Sequence, residues 1–115
     1  MIFLLPTHII YMATQPVDLR KSFDTLSGWA LEQLGHDVRQ PCIILFFNKE
    51  RTRCKMLFRD NTGLVLLCKR LDKGRFVPFK PVDPQQRSII LQHSVIARLL
   101  DGFSFSVNNP ALKRV

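Results

Sequence analysis

Apolar residues divide the chain into short segments that follow two different periods. Residues 8–13 (HIIYMA) and 42–47 (CIILFF) are apolar runs typical of strands, and the second is uninterrupted, as in a central strand. Between these runs, apolar residues recur at helical spacing, at Phe23, Leu26, Ala30 and Leu34. Asp18 or Ser22 can cap this helix, and Gly35 suits its end.

The middle of the chain alternates between apolar and polar residues around two turn sequences. Residues 53–59 and 64–71 flank the turn DNTG, and residues 75–79 follow the turn DKG and return as a further strand. The simplest register pairs Arg53 with Arg70, Lys55 with Cys68, Leu57 with Leu66, Arg59 with Leu64, and Arg70 with Phe76. One face of this meander is then apolar, and the other carries Arg53, Lys55, Leu57, Arg59, Leu66, Arg70 and Phe76.

A second helix is predicted from Asp83 as N-cap and Pro84 as the first helical residue to a stop at Gly102. Its apolar side comprises Ile89, Ile90, Val95, Ile96, Leu99 and Leu100. Residues 103–107 alternate and predict a last short strand. The order of elements predicts one α+β domain spanning residues 1–115, with an antiparallel meander sheet of four to six strands and two helices packed on one face.

The charge of the chain is concentrated in one stretch. The net charge is +8, and residues 49–80 hold ten Lys and Arg against three acidic residues. A localised basic excess is typical of a protein that binds a polyanion. Cys42, Cys54 and Cys68 have neither the number nor the spacing of a disulfide framework or a zinc site, so we expect three buried, reduced thiols and no metal or cofactor.

No targeting or membrane segment is recognisable. The first residues, MIFLLP, are apolar but lack a basic start, a long apolar stretch and a cleavage site, so we expect no signal peptide. No apolar run is long enough to span a bilayer. The expected location is therefore the cytoplasm.

The predicted basic face can bind nucleic acid. Lys and Arg contact phosphates, and Phe76 could stack on a base. The candidate contacts are Arg53, Lys55, Arg59, Lys69, Arg70, Lys73 and Arg75. Two alternatives stay open: a solvated face on which long basic side chains cover apolar surface, and a protein-docking face with Phe76, Leu57 and Leu66 as anchors.

Signatures of catalysis are few. The sequence contains no G-x-S-x-G, P-loop or H-E-x-x-H motif. Asp18, Arg20 and Lys21 form a polar cluster that could act as a contact or acid–base site, or could cap a helix and pair locally. A nuclease using Asp18 or Asp60 is the remaining enzymatic alternative, and clustered carboxylates for metal ions are lacking. We therefore expect a protein that is not an enzyme.

Three ordered blocks carry a resemblance to a known family. The blocks are Tyr11 with residues 16–26 (PVDLRKSFDTL), residues 55–63 (KMLFRDNTG) and residues 69–76 (KRLDKGRF). They resemble the TnpB-type accessory proteins that are encoded by the second open reading frame of insertion sequences of the IS-sixty-six family. Within the first block, Asp18, Arg20, Lys21 and Phe23 match the family motif.

The resemblance implies a role in transposition beside a separate, larger transposase that cuts and joins DNA. It does not establish the accessory protein's own activity. Together with the basic face, it leads us to expect DNA as a partner, in particular the terminal inverted repeats of the element, and the transposase as a second partner. We expect no membrane contact, and the oligomeric state stays open.

Overall fold

A five-stranded mixed sheet forms the centre of the protein. The computed structural model describes residues 7–105 and 112–114, and its strands lie in the order β4-β3-β2-β1-β5. The strands are β1 (Ile9–Ala13), β2 (Cys42–Phe47), β3 (Arg53–Arg59), β4 (Leu64–Arg70) and β5 (Ser88–Leu91). The central position of the uninterrupted apolar run at β2 is confirmed.

A helical crossover makes one strand pair parallel. Helix α1 (Phe23–Trp29) continues into a π-helical segment (Ala30–Leu34), which ends at Gly35 with φ of 72°. Because this connection returns the chain to the end of the sheet where it began, β1 and β2 run in parallel, with Ile9 opposite Cys42. The other pairs of the sheet are antiparallel, so the α+β class is confirmed and the meander includes one parallel pair.

The sheet is covered on both faces. Ile43, Leu45 and Phe47 of β2 pack with Ile96 and Leu99 in one core cluster. Cys42, Ile44 and Phe46 alternate with them and pack with Leu26 and Ala30 of the first helical segment in a second cluster. The prediction that both helices share one face is therefore wrong, because a central strand that is apolar on both sides needs a cover on each.

The first hairpin has the predicted register. Arg53 lies opposite Arg70, Lys55 opposite Cys68, Leu57 opposite Leu66, and Arg59 opposite Leu64. Asp60 closes the turn, because its Oδ1 accepts hydrogen bonds from the N–H groups of Thr62 (2.9 Å) and Gly63 (3.0 Å). The predicted basic face is nevertheless partly covered, since Leu57 is fully buried beneath α1.

The strand predicted at residues 75–79 is wrong. Residues 71–87 form a loop between β4 and β5, and Phe76 lies fully buried in the first core cluster rather than on the basic face. Its N–H donates to the carbonyl of Arg51 (2.7 Å), and its ring lies 5.3 Å from that of Phe47. Pro78 and Pro81 lack the N–H groups that a ladder needs, so β4 remains at the edge of the sheet.

The second helix is shorter than predicted. Helix α2 comprises His93–Leu100, whereas Ser88–Leu91 forms β5 and pairs with β1. Asp83 closes a local turn instead of capping a helix, because its Oδ1 accepts a bond from the N–H of Gln85 (2.8 Å). The open edge of β1 thus selects extended structure for the β-branched pair Ile89–Ile90. Gly102, with φ of 85°, ends the helical region as predicted.

The described part of the chain ends in a separate two-stranded sheet. Strand β6 (Phe103–Phe105) pairs with β7 (Leu112–Arg114), so part of the strand predicted at residues 103–107 is present. Residues 1–6 and 106–107, which entered the sequence predictions, lie outside the described residues. Of the three predicted buried thiols, Cys42 and Cys54 are buried, but Cys68 is exposed because it lies on edge strand β4. Within the described residues, no helix is long and apolar enough to cross a membrane.

Candidate functional site

Two turns meet at the carboxyl ends of the parallel strands. Residues 14–21 follow β1 and residues 48–52 follow β2, and the N–H of Val17 donates to the carbonyl of Phe47 (3.0 Å). A cleft of about 740 Å³ lies between them. It is lined by Pro16, Val17, Asp18, Leu19, Arg20, Asn48, Lys49, Glu50, Thr52 and Arg53. The parallel pair thus brings the polar cluster of the first block next to the turn before β3.

The turn at residues 48–52 has a defined backbone. The side-chain carbonyl of Asn48 accepts hydrogen bonds from the N–H groups of Thr52 (2.9 Å) and Arg53 (3.0 Å). Arg51 has φ of 60°, a left-handed conformation that is rare for residues other than glycine. Lys49, Glu50 and Arg51 are exposed. The turn therefore presents charged side chains from a backbone that Asn48 holds in place.

Asn48→Ala is expected to lower the free energy of unfolding by about 1–2 kcal/mol, because the N–H groups of Thr52 and Arg53 lose their acceptor and the bond to Thr52 is partly buried. Urea denaturation of the purified protein measures this change. Asn61→Ala is the matched control: Asn61 is exposed at the tip of the other turn, so its replacement should change stability by less than about 0.5 kcal/mol. Equal effects of the two substitutions would contradict the role of Asn48.

A second cleft lies at the adjoining ends of β3 and β4. It has a volume of about 490 Å³ and is lined by Leu19, Arg53, Cys54, Lys55, Cys68, Lys69 and Arg70, with no carboxylate among them. Arg53 and Arg70 are exposed and directly opposite each other across the strands. Lys55 donates from Nζ to the carbonyl of Lys21 (2.9 Å), and Lys69 pairs with Asp101 (3.2 Å). Three of the four cations are therefore without an acidic partner among the described residues.

The two clefts share Arg53 and form one basic surface at this end of the sheet. We call this surface the basic end; it comprises the cations that line the two clefts, Arg20, Lys49, Arg53, Lys55 and Arg70, and the adjoining Lys21 and Arg51. The carboxylates next to it are Asp18 and Glu50. The Arg20 guanidinium donates hydrogen bonds to both oxygens of Asp18 and holds the pKa of that carboxyl well below its usual range. Asp18 is therefore an anion throughout the physiological pH range.

The predicted contact residues lie in three places. Arg53, Lys55 and Arg70 belong to the basic end, and Lys69 borders it. Lys73 and Arg75 are exposed in the loop of residues 71–87. This loop reaches the turn after β2 through the bond between Phe76 and Arg51, so its basic residues lie near the same end of the sheet.

Arg59 lies apart from the other predicted contacts. It occupies the opposite end of β3, where it lines a small cleft with Asp37 and Arg39. Arg39 pairs with Asp37 (2.7 Å) and lowers the pKa of Asp37 to about 2, with a smaller contribution from Arg59. Arg59 lies six residue steps along the extended strand from Arg53, a distance of about 20 Å. The structure thus does not join Arg59 to the basic end.

The structure agrees with some of the roles predicted for the family-motif residues and not with others. Asp18 does not cap a helix, because α1 begins at Phe23; instead it accepts bonds from the backbone N–H (3.0 Å) and the guanidinium of Arg20. The predicted local pairing of Arg20 is therefore confirmed. Lys21 holds Lys55 through its carbonyl. Phe23, predicted on the buried face of the helix, is 42% exposed and is the first residue of α1.

The anchors of the docking alternative are largely inaccessible. Phe76 and Leu57 are fully buried, and Leu66 is partly buried against the core cluster beneath α1. A partner protein could not contact Phe76 or Leu57 without unfolding part of the chain. The expectation that these two side chains form an exposed interface is therefore wrong.

The candidate catalytic carboxylates have structural roles. Asp18 is paired with Arg20, and Asp60 closes the turn between β3 and β4. Among residues 7–105, no three His, Cys, Asp or Glu side chains come close enough together to hold a metal ion. Neither carboxylate is thus arranged with others as a metal-dependent nuclease would require.

Comparison with known proteins identifies the family of the chain. The profile of a family described as IS66 Orf2-like protein matches residues 8–110. The chain belongs to this family. The match confirms the family resemblance that the three sequence blocks carry. No solved structure matches the chain significantly.

One curated relative of this IS66 Orf2-like chain is the protein named "Uncharacterized protein y4jC" from Sinorhizobium fredii (strain NBRC 101917 / NGR234). The two are 34% identical over 73 residues. The match covers 64% of this chain and 62% of the relative. The chain therefore matches somewhat less than two thirds of the relative's length.

All three family blocks contribute to the basic end or adjoin it. Residues 16–26 supply Arg20 and Lys21, residues 55–63 begin with Lys55, and residues 69–76 include Arg70. The local sequence patterns did not indicate Lys49 and Arg51 as members of this surface. The order strand–helix–strand could have identified them, because a helical crossover makes its two strands parallel and brings the turns after them together.

Proposed function

We propose that this protein binds DNA through the basic end and acts as a non-catalytic accessory protein in transposition. The observation that carries the proposal is the cleft between Arg53, Lys55 and Arg70, which contains no carboxylate. Charged side chains on most protein surfaces are mixed in sign, so a cleft with cations alone favours an anionic partner. The backbone phosphates of DNA supply such anions at regular intervals.

The opposed side chains of Arg53 and Arg70 also favour an anionic partner. Like charges directly across two strands destabilise a sheet. Within the described residues, neither Arg53 nor Arg70 forms an ion pair that would offset this repulsion. A phosphate between the two guanidinium groups would accept hydrogen bonds from both and remove the repulsion. The arrangement is thus more favourable with a bound polyanion than without it.

The proposed contacts are to the DNA backbone. Arg and Lys contacts to phosphates set the position and affinity of a protein on DNA, whereas sequence is recognised through base edges. The aromatic residue that was predicted to stack on bases, Phe76, is buried. We therefore assign phosphate contacts to Arg53, Lys55 and Arg70 and assign no base contact.

In this accessory role the protein does not cut or join DNA; the separate transposase of the element does. The basic end would hold DNA, or DNA already bound by the transposase, while the transposase performs the chemistry. This proposal agrees with the structural roles of Asp18 and Asp60. It also agrees with a cytoplasmic location, where the DNA of a bacterial element is found.

A fluorescence-anisotropy titration tests the proposal. The purified protein is titrated into a labelled duplex of the element's terminal inverted repeat and into a scrambled duplex, at several salt concentrations. We expect saturable binding whose logarithmic salt slope is roughly −3 to −6, as for about four to seven phosphate contacts. Preference for the terminal repeat would identify the element's ends as the target. A lack of binding to either duplex at low salt would contradict the proposal.

A further inference from the structure

Strand β4 is an edge of the five-stranded sheet, and no strand of the described residues pairs with its outer side. It has seven residues, and the first five of them, Leu64 to Cys68, are uncharged. Edge strands in monomeric proteins are typically short or carry Pro, bulges or charges that prevent pairing with another chain. The opposite edge, β5, follows this rule with four residues. Most of β4 has none of these protective features.

The backbone groups that β4 turns outward can be assigned from its ends. The N–H of Leu71 donates to the carbonyl of Thr52, and the carbonyl of Gly63 accepts from the N–H of Asp60, both at 3.0 Å. Odd-numbered residues of β4 therefore bond to β3, and the even-numbered ones direct their N–H and C=O groups away from the sheet. These outward residues are Leu64, Leu66, Cys68 and Arg70.

We propose that β4 pairs with β4 of a second copy of this chain, antiparallel and with the two-fold axis at Leu67. In this register Leu66 lies opposite Cys68 of the second copy, and Leu64 lies opposite Arg70. In both of these pairs the facing residues are outward residues, so they can exchange backbone hydrogen bonds, whereas Leu67 faces Leu67 at a pair without mutual hydrogen bonds. The two five-strand sheets then form one continuous sheet.

The charge pattern of β4 favours a second copy of β4 as the partner, and it favours antiparallel over parallel pairing. The strand is apolar at its start and basic at its end, where Lys69 and Arg70 lie. Antiparallel pairing places each basic end against the apolar start of the other copy, where the long side-chain stems can cover apolar surface. Parallel pairing would set Lys69 beside Lys69 and Arg70 beside Arg70, which is destabilising.

An apolar cavity next to the edge supports the same register. The cavity has a volume of about 340 Å³, with Leu67 and Cys68 of β4 on one side and Ile96 and Leu100 of α2 on another. On this face of the continuous sheet, Leu67 would lie against Leu67 of the second copy. Pairing would therefore cover apolar side chains at the rim of the cavity as well as the open backbone.

Engineered cysteines test the register. The exposed Cys68 is first replaced by Ser. Leu67→Cys in this background then places one thiol of each copy opposite the other, at a pair without mutual hydrogen bonds. The Cα atoms of such a pair are about 4.5 Å apart, so a disulfide can form. We expect most of the protein to become a disulfide-linked dimer under mild oxidation. Val65→Cys in the same background is the control, because its two copies would be about 13 Å apart and should not link. Equal linking of both variants, or of neither, would overturn the proposal.

A second pair of variants tests the edge without engineered thiols. Cys68→Pro removes an outward N–H from an exposed position and leaves the bonds to β3 intact, whereas Cys68→Ser keeps the N–H. Sedimentation equilibrium should show a dimer of twice 13.3 kDa for the wild type and for Cys68→Ser. For Cys68→Pro, we expect the dimer dissociation constant to rise at least roughly tenfold. A wild type that stays monomeric at high concentration, or a dimer that Cys68→Pro leaves unchanged, would rule out pairing through β4.

Discussion

Arg53→Glu combined with Arg70→Glu is expected to weaken DNA binding roughly a hundredfold at moderate salt and to reduce the salt slope by about two. Each arginine contributes about one charge-assisted phosphate contact, worth roughly tenfold in affinity, and each lost contact removes about one released counterion. The two side chains are exposed and face each other across β3 and β4, so both would contact the same stretch of DNA backbone. Anisotropy titrations at several salt concentrations measure both quantities.

Arg39→Glu combined with Arg59→Glu is the matched control. It changes the net charge by the same amount, but it alters the opposite end of the sheet. If the basic end binds DNA, this control should retain nearly the affinity and most of the salt slope of the wild type. An equal loss in both double variants would mean that the net charge attracts DNA without a defined surface. Circular dichroism spectra confirm that both double variants are folded before they are compared.

The control also separates two versions of the binding surface. The sequence predicted a basic face that includes Arg59, whereas the structure joins Arg53, Lys55 and Arg70 to the turns after β1 and β2. Arg59→Glu alone should weaken binding clearly if the whole face of β3 contacts DNA. It should have little effect if the contacts are confined to the basic end.

The local sequence was sufficient to predict the strands, turn and register of the first hairpin. The turn DNTG carries its own closing interactions, because Asp60 bonds the N–H groups of Thr62 and Gly63. With the turn defined, the alternation of apolar residues in both strands allowed one register that buries Cys54, Met56 and Phe58. The opposition of Arg53 and Arg70 followed directly from that register.

Tertiary partners decided the segments that were predicted wrongly. Residues 88–100 have apolar spacing compatible with one long helix, and nothing local marks Ser88–Leu91 as extended. The strand forms because β1 has an open edge, with Ile10 opposite Leu91. In the same way, Phe76 leaves the expected hairpin because a core position next to Phe47 is available. Such partners are distant in sequence, so local patterns could not reveal them.

The sequence predicted the positive charge of the candidate site but not which residues lie together in it. The excess of Lys and Arg in residues 49–80 indicated an anionic partner, and Arg53, Lys55 and Arg70 do lie together. The contribution of Arg20 and Lys21 depended on the parallel pairing of β1 with β2, which the predicted meander lacked. The sequence thus indicated part of the basic end, but it also indicated Arg59, which lies at the opposite end of β3.

Phe76→Ala is expected to lower the free energy of unfolding by about 3–5 kcal/mol, the usual effect of removing a fully buried aromatic ring. The ring packs against Phe47 in the first core cluster, and the N–H of the same residue anchors the loop of residues 71–87 to Arg51. Loss of the ring therefore leaves a cavity and frees the loop next to the basic end. Urea denaturation, followed by circular dichroism, measures the change.

Phe23→Ala provides the comparison, because it removes the same ring from a position that is 42% exposed. Its expected effect is about 1–2 kcal/mol, clearly smaller than that of Phe76→Ala, since Phe23 is only partly removed from water on folding. The two variants distinguish a core role for Phe76 from the surface role that the sequence suggested. If Phe76→Ala left stability unchanged but abolished binding to DNA or to the transposase, Phe76 would be a contact residue and the burial of this loop would be wrong. If stability falls as expected, any loss of DNA binding by Phe76→Ala follows from a displaced loop, because Arg51, Lys73 and Arg75 lie on either side of the bond that Phe76 makes.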